Sequence, residues 1–139
     1  STDMVVMGDA LEGVDLAQTD TTITDYFAAV RLSRQEARDS AVSVLQEAMA
    51  YTGSEAQKEE SSTQLEVIVQ TALTEAQIES LVIAKGYADC VAYVGDDGIS
   101  IAVAAPEGGL KEADVAVIAD IVMSQSAYVL ADIRVVEVL

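Results

Sequence analysis

Apolar positions recur at three- and four-residue steps from Asp25 to about Gly86, then at steps of two as far as Ala105. Phe27, Val30, Arg34, Ala37, Ala41, Val44 and Ala48 set the first stripe, broadened by Leu45, with Thr24 or Asp25 as N-cap. This helix should close at Tyr51-Thr52-Gly53, where glycine can take the left-handed C-terminal position. Ser54 opens a second helix, with Glu55, Glu59 and Glu60 near its positive end. Its expected core stripe is Leu65, Ile68, Val69, Ala72 and Leu73, then Ala76, Leu81 and Ile83. Thr74 followed by Gln77 has the form of a capping box, which predicts a break or kink there. The pair reads as a helical hairpin, or as one long element with a bend.

Tyr87–Val94 and Ile99–Ala105 alternate, and the Gly95-Asp96-Asp97-Gly98 segment between them is a hairpin signal. The alternation places Cys90, Ala92, Val94, Ile99, Ile101 and Val103 on the core face. Val91, Tyr93, Ser100, Ala102 and Ala104 take the other. Pro106 and Gly108-Gly109 interrupt. Leu110–Gln125 is then a helix with Leu110, Ala113, Val117, Ile118, Ile121 and Val122 inward. Val129–Leu139 is a last strand, with Ile133 and Val135 inward and Val136 and Val138 opposite. Its crossover helix makes it parallel to Ile99–Ala105. The expected place is beside Tyr87–Val94, giving the order 2-1-3. The predicted fold is α+β: a three-stranded sheet with helices on one face, preceded by a long helical hairpin. Residues 1–24 are expected to be a flexible acidic linker and 25–139 the domain.

Charge narrows the function. Seven basic residues against 24 acidic ones give a net charge of −17, opposite to what phosphate backbones or anionic lipid attract. Such a chain meets partners that are basic or locally apolar. Without histidine the commonest general base is missing, and a lone Cys90 on the inward parity has no partner to activate it. Glu55, Glu59 and Glu60 read as a solvated helix face, and Asp96-Asp97-Gly98 lacks the spacing of a calcium loop. Gly108-Gly109 is followed by Leu110-Lys111-Glu112, without the Lys-Ser/Thr of a phosphate loop. No catalytic, cofactor-binding or metal-ligating residue is predicted, and a carboxylate enzyme is the least favoured reading. Apolar runs are expected to fall short of membrane-spanning length. The start at Ser1 suits a chain cut after a signal peptide or anchor, and equally a processed soluble protein.

Two groups remain as candidate partner-binding residues. Arg31, Arg34 and Arg38 share a helix face, where the bland expectation is pairing with Glu36, Asp39 or acids of the second helix. Tyr93, Ala102, Ala104, Val136 and Val138, with Val91, make the outer sheet face semi-apolar, and both sheet edges are expected to be unpaired.

Tyr26-Phe27 followed by Arg31-Leu32, Arg34, Ala37 and Arg38 resembles the opening helix of the stage III sporulation protein AH family. Ile78 to Asp89, with its Lys85-Gly86-Tyr87 junction into the first strand, and Ala119-Asp120-Ile121-Val122 are similar to two further segments of that family. The likeness runs from Asp25 to Val138; Ile83 stands where the family pattern has a lysine, which puts a charge-based contact there in doubt. The resemblance implies a ring-building-motif-like, non-catalytic extracytoplasmic domain, membrane-anchored by an N-terminal helix and facing the space between mother cell and forespore. It also implies binding to a forespore protein like stage II sporulation protein Q, and oligomerisation into a ring or channel. A ring-building scaffold of a secretion or flagellar apparatus is the alternative.

Overall fold

The computed structural model describes residues 23–51 and 53–139. Helix α1 (Ile23–Tyr51) and helix α2 (Glu55–Ala84) form the hairpin. Strands β1 (Cys90–Gly95) and β2 (Gly98–Ala104), helix α3 (Glu112–Gln125) and strand β3 (Ile133–Val138) complete the domain. The acidic linker expected at the N-terminus lies outside the described residues, apart from Ile23 and Thr24, which are already helical. Ser54 caps α2 by accepting from Gln57 N at 3.4 Å. Against the expectation that no run would be of membrane-spanning length, α2 is long and apolar enough to cross a membrane by length and composition. No break occurs at Thr74, because Thr74 and Gln77 sit inside an unbroken ladder where the helical bonds already satisfy the backbone.

The two-residue turn Asp96-Asp97 fixes the β1–β2 register, with Gly95 opposite Gly98 and Cys90 opposite Val103. Strand β3 pairs with β2 in parallel, Ile99 opposite Ile133 and Ala104 opposite Val138. The sheet order is therefore β1-β2-β3, and not the expected 2-1-3. Two features decide this. First, β2 is buried along both faces, as a central strand should be. Gly98, at φ +141°, also lets the chain before β3 come so close that a Cβ would fall 2.1 Å from the Asp132 carbonyl oxygen. Second, the outer edge of β1 is already occupied.

That occupation follows from the hairpin's parity. With Gly95 and Gly98 closing the turn, Tyr93 and Val91 exchange bonds with β2, so Cys90, Ala92 and Val94 point their backbone groups outward. Side chains meet them in turn. Cys90 N donates to Asp89 Oδ1 (2.8 Å), and Arg31 Nη2 donates to Cys90 O (3.1 Å). Ala92 N donates to Glu79 Oε2 (2.8 Å), and Arg34 Nη1 donates to Ala92 O (2.6 Å). Val94 N donates to Glu75 Oε2 (3.0 Å). A row of charged side chains from α1, α2 and the entry of β1 stands where a fourth strand would lie.

Helices cover both faces of the sheet, which corrects the expectation of one. The main core joins Ile78 and Val82 of α2, Ile118 and Val122 of α3, and Ile101, Val103 and Val135 of the sheet. On the far side, Tyr26, Phe27 and Val30 of α1 cover Val91, Ala102, Ala104 and Val136. Only the first turns of α1 meet the sheet, so Ala37, Ala41 and Val44 of the expected stripe are exposed.

Candidate assembly surface

The hairpin is tied to the sheet by an ion-pair network. Arg34 and Arg38, one turn apart on α1, face Glu75 and Glu79, one turn apart on α2. Arg34 Nη1 lies 2.6 Å from Glu79 Oε2 and 3.6 Å from Glu75 Oε1, and Arg38 Nη2 lies 2.7 Å from Glu75 Oε1. Glu75 is 1% exposed. Burial of a carboxylate is tolerable here because two guanidinium groups and the Val94 amide converge on its oxygens. Arg31 pairs with Asp89 and sits 5.9 Å over the Phe27 ring.

This is where the sequence-predicted arginines lie: all three bond within the chain, to α2 and to the entry of β1. The sheet residues divide. Ala102, Ala104 and Val136 are buried under Tyr26 and Phe27, so the open semi-apolar face expected from alternation is closed there. Tyr93 and Val138 stay half-buried. Across the sheet from Tyr93 stand Ser100 and the exposed Arg134, which together with the Asp96-Asp97 turn line an open cleft of about 290 Å³.

The chemistry of the remaining groups is quiet. Burial pushes the Cys90 thiol well up, with Glu79 and Asp89 adding to the rise, so it is held protonated. Among the described residues no group of three His, Cys, Asp or Glu side chains is placed to hold a metal ion. A groove of about 580 Å³ between the helices is lined by Ala41, Val44, Leu45, Val67 and Ile68, without an acid–base pair.

Tyr87 Oη donates to Asp114 Oδ1 at 2.5 Å, joining the entry of β1 to the start of α3. Burial, then this bond, raises the Tyr87 phenol to about 12. The same bond, with Lys111 N, lowers Asp114 below its ordinary 3.8. The fold thus prefers the neutral phenol, whose stabilisation is complete below pH 10 and lost as pH rises from 10 to about 12. Asp114 works the opposite way. Its contribution is present above pH 3.8 and lost as pH falls through its lowered value. Denaturant midpoints across the alkaline range should therefore fall less steeply in Tyr87→Phe than in wild type. Parallel slopes would count against the assignment.

Glu75 and Glu79 were the residues that periodicity missed. Their signal was present as a matched pair of one-turn spacings, Arg34/Arg38 against Glu75/Glu79.

The family model described as SpoIIIAH-like protein matches residues 6–135. A solved structure, described as that of the SpoIIQ-SpoIIIAH pore forming complex, contains a chain that superposes with a TM-score of 0.69. The two are 21% identical, and the match covers 81% of this chain and 96% of the other; at that identity the likeness establishes the fold. No curated protein sequence matches significantly.

Proposed function

Since this chain belongs to the SpoIIIAH-like family, we propose that it is a non-catalytic assembly domain that binds a SpoIIQ-like forespore protein. In this reading it oligomerises with that partner into a channel between mother cell and forespore, held at the membrane by an N-terminal anchor. The observation that carries the proposal is the family match over residues 6–135, with which the likeness of fold to a chain of a pore-forming complex agrees. The chemistry is compatible: the described acids are paired or solvated, and the thiol is buried and protonated.

Net charge shapes the contact. At −17, the domain is steered towards a basic partner surface, and association should slow as salt screens that attraction. Of the residues expected to meet the partner, Tyr93 and Val138 are proposed as contacts at the uncovered part of the sheet. Arg31, Arg34 and Arg38 are proposed to act indirectly, by holding α1 and α2 in place.

The test is direct. The chain mixed with the ectodomain of a SpoIIQ-type protein should co-elute as a complex on size exclusion, and Tyr93→Ala should weaken it about tenfold or more, a hot-spot-sized loss. Two folded proteins that elute separately at all salt concentrations would remove the proposal.

A further inference from the structure

Helix α2 carries a long uncharged surface on a strongly acidic chain. Between Val67 and Ala84 every exposed position is uncharged. Its two acids in that stretch, Glu75 and Glu79, are turned inward and bonded to Arg34 and Arg38. Elsewhere exposed acids are frequent: Asp25, Glu36, Asp39 and Glu47 on α1, Asp120 on α3, Asp96 and Asp97 at the turn.

Within the neutral stretch lies a regular seam. Val69, Leu73, Ala76, Ser80 and Ile83 follow one another at steps of four and three, an average of 3.5 residues, the repeat at which one helix keeps a line facing another. Val69, Leu73 and Ile83 are 57%, 50% and 43% exposed. The seam runs opposite Glu75, Ile78 and Val82, which enter the domain, and all five of its residues are exposed. From Val69 to Ile83 it spans about 21 Å. Its centre, Ala76 and Ser80, is small enough for close approach.

We infer that this face of α2 packs against the same face of a second copy of the chain. Charge selects that occupant. A basic partner would be met by an acidic surface, which the chain has in plenty. A face cleared of acids is the place where two molecules of charge −17 can touch without setting like charges against each other. A two-fold contact needs only this one patch, since a self-complementary surface meets itself. Centred on Ala76, an antiparallel pairing sets Val69 of one copy near Ile83 of the other. The inference names a surface for the self-contact in the channel reading and rests on that reading for its biological setting. Such pairs would then be linked by the partner protein. One helix face is small beside the roughly 800 Å² per partner of standard interfaces, so the pair is weak in free solution and is favoured where many copies are held together.

Sedimentation of the intact chain tests it. Wild type should shift reversibly from monomer towards twice the monomer mass as concentration rises. Added salt should strengthen the pair, because screening relieves repulsion between the acidic bodies. Ala76→Glu and Ala76→Lys, both at an exposed helical position, should each weaken the pair about tenfold or more while remaining folded. Mixed in equal amounts, they should restore it. A wild type that stays monomeric up to roughly millimolar concentration, far above the range of specific association, overturns the inference. So do a pair indifferent to both variants, and a chain that binds neutral lipid vesicles through this face without pairing. Both variants should still co-elute with the SpoIIQ-type ectodomain, so losing the pair and losing the partner are separate results.

Discussion

Glu75→Ala should lower the stability of the domain by about 3–5 kcal/mol, read from the denaturant midpoint at constant slope. The cost comes from what is left behind. Arg38 loses its carboxylate, Arg34 keeps only Glu79, and the outward amide of Val94 loses its acceptor. These groups lie at the junction of α1, α2 and β1, so the variant should also loosen the hairpin against the sheet. That would appear as faster amide exchange through the middle of both helices. Adding Arg38→Ala to Glu75→Ala should cost less than the sum of the single changes, since the partner is then gone as well. A loss below about 1 kcal/mol for Glu75→Ala would mean that the network is no stronger than a surface pair.

Phe27→Ala should cost a similar amount, about 3–5 kcal/mol, through a different mechanism. Phe27 is fully buried and packs edge-on against Tyr26, with ring centroids 5.3 Å apart. With Val30 it forms the lid over Val91, Ala102 and Val136. Truncation leaves a cavity and opens the far face of the sheet, so an apolar dye should bind the variant more strongly than wild type. Phe27→Leu keeps most of the volume and should cost less than about 1.5 kcal/mol. Equal losses from both substitutions would contradict the packing argument.

Much of the architecture could be read directly. The Asp96-Asp97 turn, the alternation on either side of it, the left-handed Gly86 at the end of α2 and the inward set of β2 and β3 are local signals, and the fold obeys them; α1 also ends before Gly53, but Gly53 does not take the left-handed conformation expected of it. What failed was whatever depended on a distant element. Apolar residues of helix α2 occur on all its sides, so its period could not say which side is inside; the answer comes from Arg34 and Arg38, far away in sequence. Val69, Leu73, Ala76, Leu81 and Ile83, read as core, are on the surface, while Glu75 is buried. Burial of the far face was missed for a related reason. Tyr26 and Phe27 show as the start of an amphipathic helix, but nothing local says that this helix crosses to the opposite side of the sheet. The strand order went wrong because an edge sealed by side chains looks, in sequence, like any other edge.

The row of arginine and glutamate groups along β1 has a consequence for how copies of this chain can be joined. Growth of a continuous sheet from one molecule to the next requires each unit to offer two vacant flanks, one to receive and one to donate. Here the β1 flank is filled by the molecule's own ion pairs, so an incoming strand would have to displace Arg34 and Glu79 before forming its first bond. Strand-on-strand stacking therefore stops after one addition at β3, and fibre formation from the native state is blocked at its second step.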